Sequence, residues 1–138
     1  MIPKYRVACK NKILGEVGSI DFIDETVTVP VFDSETGEYL AGYELGLNQV
    51  VLMQSTGLFD TFCQDELFED DVILWTYFDE WEDSGNARIV HRDGCWKLLD
   101  IETGKEVWDT LFDCLENCSV YLAGNIYENP ELLEVNND

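Results

Sequence analysis

Basic residues are scarce in this chain. Its 138 residues include eight Lys and Arg but 29 Asp and Glu, which gives a formal net charge of −21. Proteins bind nucleic-acid backbones through clustered Lys and Arg that displace counterions, so this shortage disfavours direct binding to DNA, RNA or an anionic membrane. The same charge attracts basic proteins and makes their encounter depend on salt. A second interpretation, that the acidity serves solubility only, stays open.

Histidine is almost as scarce, since His91 is the one histidine in the sequence. A single imidazole in a predicted strand does not support a Ser-His-Asp arrangement and favours a structural or partly exposed role. The phosphate-binding patterns Gly-x-x-x-x-Gly-Lys-[Ser/Thr] and Gly-x-Gly-x-x-Gly are absent. Because no nucleophile, base or ligand set converges, the sequence predicts a protein that is not an enzyme and that uses no cofactor.

Long apolar runs are also missing. The longest, which include residues 50–53 and 72–75, are four residues each, whereas a membrane helix needs about 20. The first residues lack the apolar stretch that a secretory signal requires. These two absences predict a cytoplasmic protein with no membrane partner.

The cysteines form no dense framework of the kind that disulfide-rich proteins use. Their number is odd: they are Cys9, Cys63, Cys95, Cys114 and Cys118. Reduced thiols are the simplest account. Cys114 and Cys118 have helical spacing, but a zinc site would need two further ligands, so we predict buried core cysteines and no metal.

Short apolar stretches alternate with polar turns along most of the chain, which is typical of β-strands. Strands are predicted at residues 5–9, 13–17, 20–23, 26–32, 39–45, 49–54, 72–78, 87–91, 95–99 and 120–123. Turns are predicted at residues 84–86 and 92–94, and Pro30 indicates an edge or a bulge in its strand.

Helical spacing occurs near the carboxy-terminal end, where apolar residues recur on one face: Val107, Leu111, Cys114, Leu115 and Cys118. Asp109 is the predicted cap of this helix, and Asn129 followed by Pro130 predicts a final short turn. The expected fold is therefore mainly β, with an antiparallel barrel-like or meander core and one short helix near the C-terminus. The length predicts a single domain over residues 1–138.

Acidic and aromatic residues share one central segment. Its predicted partner-binding residues are Asp65, Glu66, Glu69, Asp70, Asp71, Asp79, Glu80, Trp81, Glu82 and Asp83. In one interpretation, the aromatics of this segment pack in the core and the acids lie in solvent. In the other, an acidic surface with an exposed aromatic anchor such as Trp81 fits a basic cleft on another protein.

Two segments of the sequence carry a family resemblance. They are Leu52-Met53-Gln54-Ser55-Thr56-Gly57-Leu58, continuing to Glu69-Asp70-Asp71-Val72-Ile73, and Gly124-Asn125-Ile126-Tyr127-Glu128-Asn129-Pro130-Glu131-Leu132-Leu133. With Tyr5-Arg6-Val7-Ala8 and Ser19-Ile20-Asp21-Phe22, they resemble the YopX family of bacteriophage and prophage proteins. Family members usually have a glycine where this chain has Asp70. The resemblance implies a phage-encoded, mostly β protein with a barrel-like core, and it implies no activity.

Charge and resemblance together lead to two hypotheses of function. The first is a non-enzymatic interaction protein, an acidic nucleic-acid mimic that blocks a basic host nucleic-acid-binding or defence protein. The second is a structural or assembly protein, a homo-oligomer that self-associates through sheet edges while its acidity keeps it soluble.

Overall fold

The computed structural model describes residues 3–77 and 80–134, and for residues 80–83 it describes the backbone only. The chain divides into two compact units, Met1–Gln54 and Ser55–Asp138, here called the N-terminal and C-terminal units. The expectation of a single domain stays a prediction. Each unit is described by itself below.

Antiparallel strands form the N-terminal unit. They are β1 Tyr5–Cys9, β2 Lys12–Glu16, β3 Ser19–Asp21, β4 Thr26–Phe32, β5 Tyr39–Gly46 and the first part of β6 Val51–Phe59. Strand β1 pairs with β2 and β6, while β4 lies between β3 and β5. The β1–β2 hairpin turns through Lys10 and Asn11, whose φ angles of 49° and 66° are those of a type I′ turn.

Alternation along β4 builds the small core of this unit. Val27 and Val29 are buried and pack with Val7 of β1, because successive side chains of a strand point to opposite faces. Thr28 is the last β4 residue that pairs with β3, and Pro30 comes two residues later. The missing N–H of Pro30 therefore interrupts no pairing between β4 and β3. The prediction of an edge or a bulge at Pro30 therefore holds only locally: β4 is the central strand of its sheet, but at Pro30 it pairs with β5 and not with β3.

The C-terminal unit is a curled antiparallel sheet, half of a barrel, with one helix. Its elements are the end of β6, β7 Glu66–Phe68, β8 Asp71–Tyr77, β9 Glu80–Arg92, β10 Cys95–Asp100, β11 Glu106–Val107, α1 Leu111–Asn117, β12 Ser119–Asn125 and a 3₁₀ turn Pro130–Leu133. The sheet order is β11-β10-β9-β8-β12. The predicted mainly β, antiparallel class with one short helix is confirmed.

The core of the C-terminal unit is larger. Its buried residues include Leu67, Ile73, Ala87, Ile89, Leu98, Leu111, Cys114, Cys118 and Val120. Strands and helix both contribute, since α1 supplies Leu111 and Cys114. Each fully buried aliphatic side chain of this kind contributes roughly 1.5–3 kcal/mol through removal from water.

The predicted turn at residues 84–86 is wrong, because these residues lie inside β9. Gly85 pairs with Trp75 across the β8–β9 ladder, and a Cβ on Gly85 would lie 3.0 Å from the Trp75 indole. The glycine therefore gives room to an aromatic ring on the neighbouring strand and does not reverse the chain.

The predicted helix begins later than expected. Val107 belongs to β11. Trp108 has a φ of 62°, a left-handed conformation that is incompatible with a right-handed helix at this residue. Thr110, not Asp109, is the cap: its Oγ1 accepts a hydrogen bond from the Asp113 N–H at 3.1 Å. Helical spacing at residue 107 was thus coincidental.

In the described residues, no helix is long and apolar enough to cross a bilayer.

Candidate functional site

Asp70 is the centre of a partly buried ionic cluster between β7 and β8. Its Oδ1 accepts hydrogen bonds from Arg88 Nε at 3.1 Å and Nη2 at 2.9 Å, and its Oδ2 accepts one from the Tyr127 hydroxyl at 2.6 Å. Asp70 also has a φ of 71°, a conformation that costs a non-glycine residue roughly 1–2 kcal/mol. The charge-assisted contacts offset that cost.

Tyr127 is held in its neutral, donating form by this environment. Burial, together with its hydrogen bond to Asp70 and the charge of that carboxylate, raises the pKa of Tyr127 above its ordinary value of 10.0, while Arg88 acts in the opposite direction. At neutral pH the phenol therefore keeps its proton and donates a hydrogen bond to the carboxylate. The cluster joins the carboxy-terminal segment to β9 and is a structural clamp.

Asn125 organises the segment that carries the strongest family resemblance. Its Oδ1 accepts hydrogen bonds from the N–H groups of Tyr127 at 3.0 Å and Glu128 at 2.9 Å, and its Nδ2 donates to Glu128 Oε1 at 3.1 Å. The Asn129 side chain lies so close to the backbone of residue 124 that only glycine fits there, since a Cβ on Gly124 would lie 2.4 Å from Asn129 Oδ1. The motif therefore encodes a locally hydrogen-bonded turn.

The other resemblance segment encodes an irregular strand. Thr56 Oγ1 donates to the Leu67 carbonyl at 2.8 Å and accepts from the Leu58 N–H at 3.0 Å. Ser55 Oγ donates to Glu66 Oε2 at 2.5 Å, and the β6–β7 register shifts between Ser55 and Phe59. These buried hydroxyls satisfy backbone groups that the bulge leaves outside the ladder.

A loop at residues 60–65 brings together three side chains that could hold a metal ion. Ligand atoms of Asp60, Cys63 and Asp65 lie within 4.8 Å of one another. The Asp60 carboxylate is already engaged, because Oδ1 accepts from the Asp65 N–H at 2.9 Å and Oδ2 from the Leu122 N–H at 3.1 Å. Asp60 is therefore the cap of this loop.

The structure separates the predicted acidic residues by burial. Asp65 is exposed, whereas Glu66 and Glu69 are half-buried. Asp70 and Asp71 are 8% and 1% exposed, and Asp71 Oδ2 accepts a hydrogen bond from the Phe68 N–H at 2.8 Å. Their placement on an acidic surface is corrected: the tight β7–β8 connection needs carboxylates to satisfy buried donors.

The remaining predicted residues cannot be placed on a surface. Asp79 lies outside the described residues, as do the side chains of Glu80, Trp81, Glu82 and Asp83. Their backbone, residues 80–83, forms the start of β9. Their role in binding a partner stays a prediction.

A cavity of about 390 Å³ lies in the C-terminal unit between β9, the turn after β10 and the chain around the 3₁₀ turn. Its lining combines aliphatic side chains, Leu74, Ile101 and Leu132, with carboxylates, Asp100, Glu102 and Glu134. No sequence pattern predicted this cavity. Its residues come from distant parts of the chain, and no local pattern connects them.

Strand β5 gives the N-terminal unit an exposed apolar surface. Tyr39, Leu40 and Tyr43 are 62%, 60% and 61% exposed, and Phe32 of β4 packs edge-on against Tyr39 with ring centroids 6.0 Å apart. Within the described residues β5 pairs with β4 alone. Its other edge therefore presents backbone donors and acceptors beside aromatic rings.

His91 and the cysteines have the environments that the sequence predicted. His91 is exposed, with its ring 4.8 Å from that of Trp96. All five thiols are free, and Cys114 and Cys118 are buried. Burial raises the pKa of both thiols, chiefly by desolvation, so neither is an activated nucleophile.

The architecture places the chain among mainly antiparallel β proteins with one short helix. The two segments that carry the resemblance are the irregular β6 strand, whose register shifts between Ser55 and Phe59, and the Asn125 turn. The family model of the YopX protein matches residues 4–134, and the chain belongs to the YopX family. The predicted resemblance is confirmed.

Two solved structures extend this result. Protein EF1440 from Enterococcus faecalis is 26% identical, with a TM-score of 0.64 over 97% of this chain and 99% of that chain. Protein yopX from Bacillus subtilis is 16% identical, with a TM-score of 0.61 over 95% of this chain and 98% of that chain, and it shows the fold alone. No curated protein matches this chain.

Proposed function

We propose that this protein is a non-enzymatic phage or prophage accessory protein that binds a basic host protein through its C-terminal unit. The carrying observation is the division of charge. The C-terminal unit contains 21 acidic and four basic residues, whereas the N-terminal unit contains eight acidic and four basic residues. A net charge of −17 on one unit attracts a basic surface and repels phosphate.

Much of this acidity lies at the surface of the C-terminal unit. Exposed carboxylates are those of Asp65, Asp93, Glu102, Glu106, Asp109, Glu116, Glu128, Glu131 and Glu134. A protein that presents carboxylates where a nucleic acid presents phosphates competes for the same Lys and Arg. We therefore favour a nucleic-acid mimic that acts in the cytoplasm of a bacterial host on a nucleic-acid-binding or defence protein.

Capture from bacterial lysate tests this function. The immobilised protein should retain a basic nucleic-acid-binding protein that is released by high salt and by added duplex DNA. The variant Asp65→Asn/Glu80→Gln/Glu82→Gln/Asp83→Asn should lose this capture. It leaves Asp70 and Asp71 in place because their burial makes them part of the fold.

A matched variant controls for total charge. Asp24→Asn/Glu35→Gln/Glu38→Gln/Glu44→Gln removes four exposed acids from the N-terminal unit and should capture as wild type does. An equal loss of capture in both variants would show that capture depends on net charge and not on a particular acidic surface. A retained protein that DNA does not displace would contradict mimicry.

The exposed strand β5 favours a second candidate, self-assembly. Its first six residues are exposed, and the low charge of the N-terminal unit lets two copies pair there with less repulsion. Sedimentation across a concentration range should then show oligomers that salt strengthens, the opposite salt dependence to capture of a basic partner. Leu40→Lys should dissociate the oligomers. Ile23→Lys is the control and should not, because Ile23 lies in a turn outside β5 and is already 93% exposed. A monomer at all concentrations would exclude this candidate.

A further inference from the structure

The cavity of the C-terminal unit combines two opposite surface chemistries. Leu74 of β8 and Ile101, which follows β10, are half-buried, as is Leu132 of the 3₁₀ turn. Carboxylates of Asp100, Glu102 and Glu134 line the same space. Such a lining suits an occupant that carries both an aliphatic portion and a positive charge.

Hydrogen bonds in the surrounding backbone hold this cavity in shape. The Ile101 N–H donates to the Asn86 carbonyl at 3.0 Å, and the Asp100 N–H donates to the Lys105 carbonyl at 2.8 Å. Asp100 Oδ2 also accepts a hydrogen bond from the Thr103 N–H at 2.9 Å. The acidic turn is thus fixed against β9, and a ligand would meet a largely formed site.

A bare metal ion does not fit this arrangement. In the described part of the chain, ligand atoms converge within 4.8 Å of one another at Asp60, Cys63 and Asp65 and not at the cavity carboxylates. Divalent cations need several oxygens at about 2.0–2.6 Å from one centre. Carboxylates spread around an apolar patch suit a larger organic cation.

We propose that this cavity receives a lysine or arginine side chain of the basic partner. Such a side chain has a methylene stem that packs on aliphatic surface and a charged head that extends to polar surroundings. Leu74, Ile101 and Leu132 contact the stem, and the carboxylates bind the head. Charge complementarity with the C-terminal unit selects this occupant, so the inference rests on the proposed function and adds the place where one basic side chain docks.

Titration of the full chain with a short peptide tests the site. The probe is an uncharged-terminus tripeptide with one central arginine, and its lysine and norleucine analogues are the comparisons. Backbone amide resonances of Asn86, Ile101 and Glu102 should shift with the arginine and lysine peptides but not with norleucine. Glu102→Gln/Glu134→Gln should weaken binding about tenfold or more, and both side chains are exposed, so folding is retained.

The matched variant Glu106→Gln/Glu116→Gln removes two other exposed acids of the same unit and should bind the peptides as wild type does. Equal weakening in both variants, equal shifts with norleucine, or shifts spread over all acidic loops would overturn the inference. Leu132→Ala should also weaken binding of the arginine peptide, because it removes part of the aliphatic surface that contacts the stem. Unchanged binding would indicate a purely electrostatic site.

Lysate capture separates this inference from the proposed function. If the wild-type protein retains a DNA-displaceable basic protein but binds no arginine peptide, the function stands and the cavity inference fails. If the peptides bind at the cavity while the protein captures no basic partner, the cavity is a site for a basic side chain but the proposed function fails.

Discussion

The two units of this chain divide apolar surface and charge between them. The N-terminal unit buries three valines, Val7, Val27 and Val29, in its core cluster and exposes aromatic residues on β5. The C-terminal unit buries a core drawn from strands and helix and carries most of the acidic residues. A high net charge is therefore compatible with folding when the repelling groups surround a large core.

The largest expected effect is on the C-terminal core. Leu98→Ala removes a fully buried side chain and should lower the free energy of unfolding by about 2–5 kcal/mol. Leu14→Ala, at a position that is 42% exposed in the N-terminal unit, should change it by less than about 0.5 kcal/mol. Urea denaturation followed by far-UV circular dichroism measures both, because all four tryptophans lie in the C-terminal unit and their fluorescence would report that unit alone. Similar losses would contradict the division into a strong core and an exposed sheet.

The next effect concerns the partly buried ionic cluster of Asp70, Arg88 and Tyr127. Asp70→Ala leaves Arg88 and Tyr127 without their acceptor and should cost about 2–3 kcal/mol, less than a fully buried pair because the Arg88 side chain is 34% exposed. Asp70→Gly loses the same contacts but tolerates a positive φ, so it should be about 1 kcal/mol more stable than Asp70→Ala. If the two variants were equally stable, the backbone at Asp70 would carry no strain.

A smaller effect is expected at the phenol of the same cluster. Tyr127→Phe should cost about 1 kcal/mol at neutral pH. Because the folded-state pKa of Tyr127 is raised above 10.0, its contribution is complete below pH 10 and is lost as the pH rises further. Wild type should therefore lose more stability than Tyr127→Phe in alkaline denaturation series. Parallel pH profiles would show that the phenol is not protected.

The smallest effect belongs to an ion pair of the N-terminal unit. Lys4 Nζ and Glu16 Oε1 are 3.0 Å apart, but the side chains are 43% and 62% exposed. Glu16→Gln should change the free energy of unfolding by less than about 0.5 kcal/mol, since water and salt screen such pairs. A cost close to that of Asp70→Ala would remove the contrast between exposed and buried ion pairs.

Sequence patterns predicted most strands because alternation and turn residues act locally. Strand β4 was predicted at its observed bounds, residues 26–32, and the Arg92–Cys95 connection is the predicted tight turn, with φ of 53° at Asp93 and 75° at Gly94. The three-residue strand β7 was missed because it is short and begins with an acid. The turn predicted at Gly85 was wrong because the role of this glycine depends on the Trp75 ring of the neighbouring strand, which no local turn pattern indicates.

The candidate sites were less predictable than the strands. Acidic residues at 65–71 form one sequence cluster, yet Asp71 is buried and Asp65 is exposed. Burial depends on whether a donor such as the Phe68 N–H or the Arg88 guanidinium meets the carboxylate, and that depends on packing. The cavity and the exposed face of β5 likewise result from how distant segments pack, which no local sequence pattern predicts.

The sequence by itself determined the charge, the mainly β class, the family and the locally hydrogen-bonded turns, because each depends on composition or on residues close together in the chain. Only the tertiary structure decided which carboxylates are buried, which aromatic residues remain exposed and where the acidic cavity forms. Those properties depend on contacts such as Asp70 with Tyr127, 57 residues apart, and burial changes the free energy of a charged group far more than its sequence neighbours do.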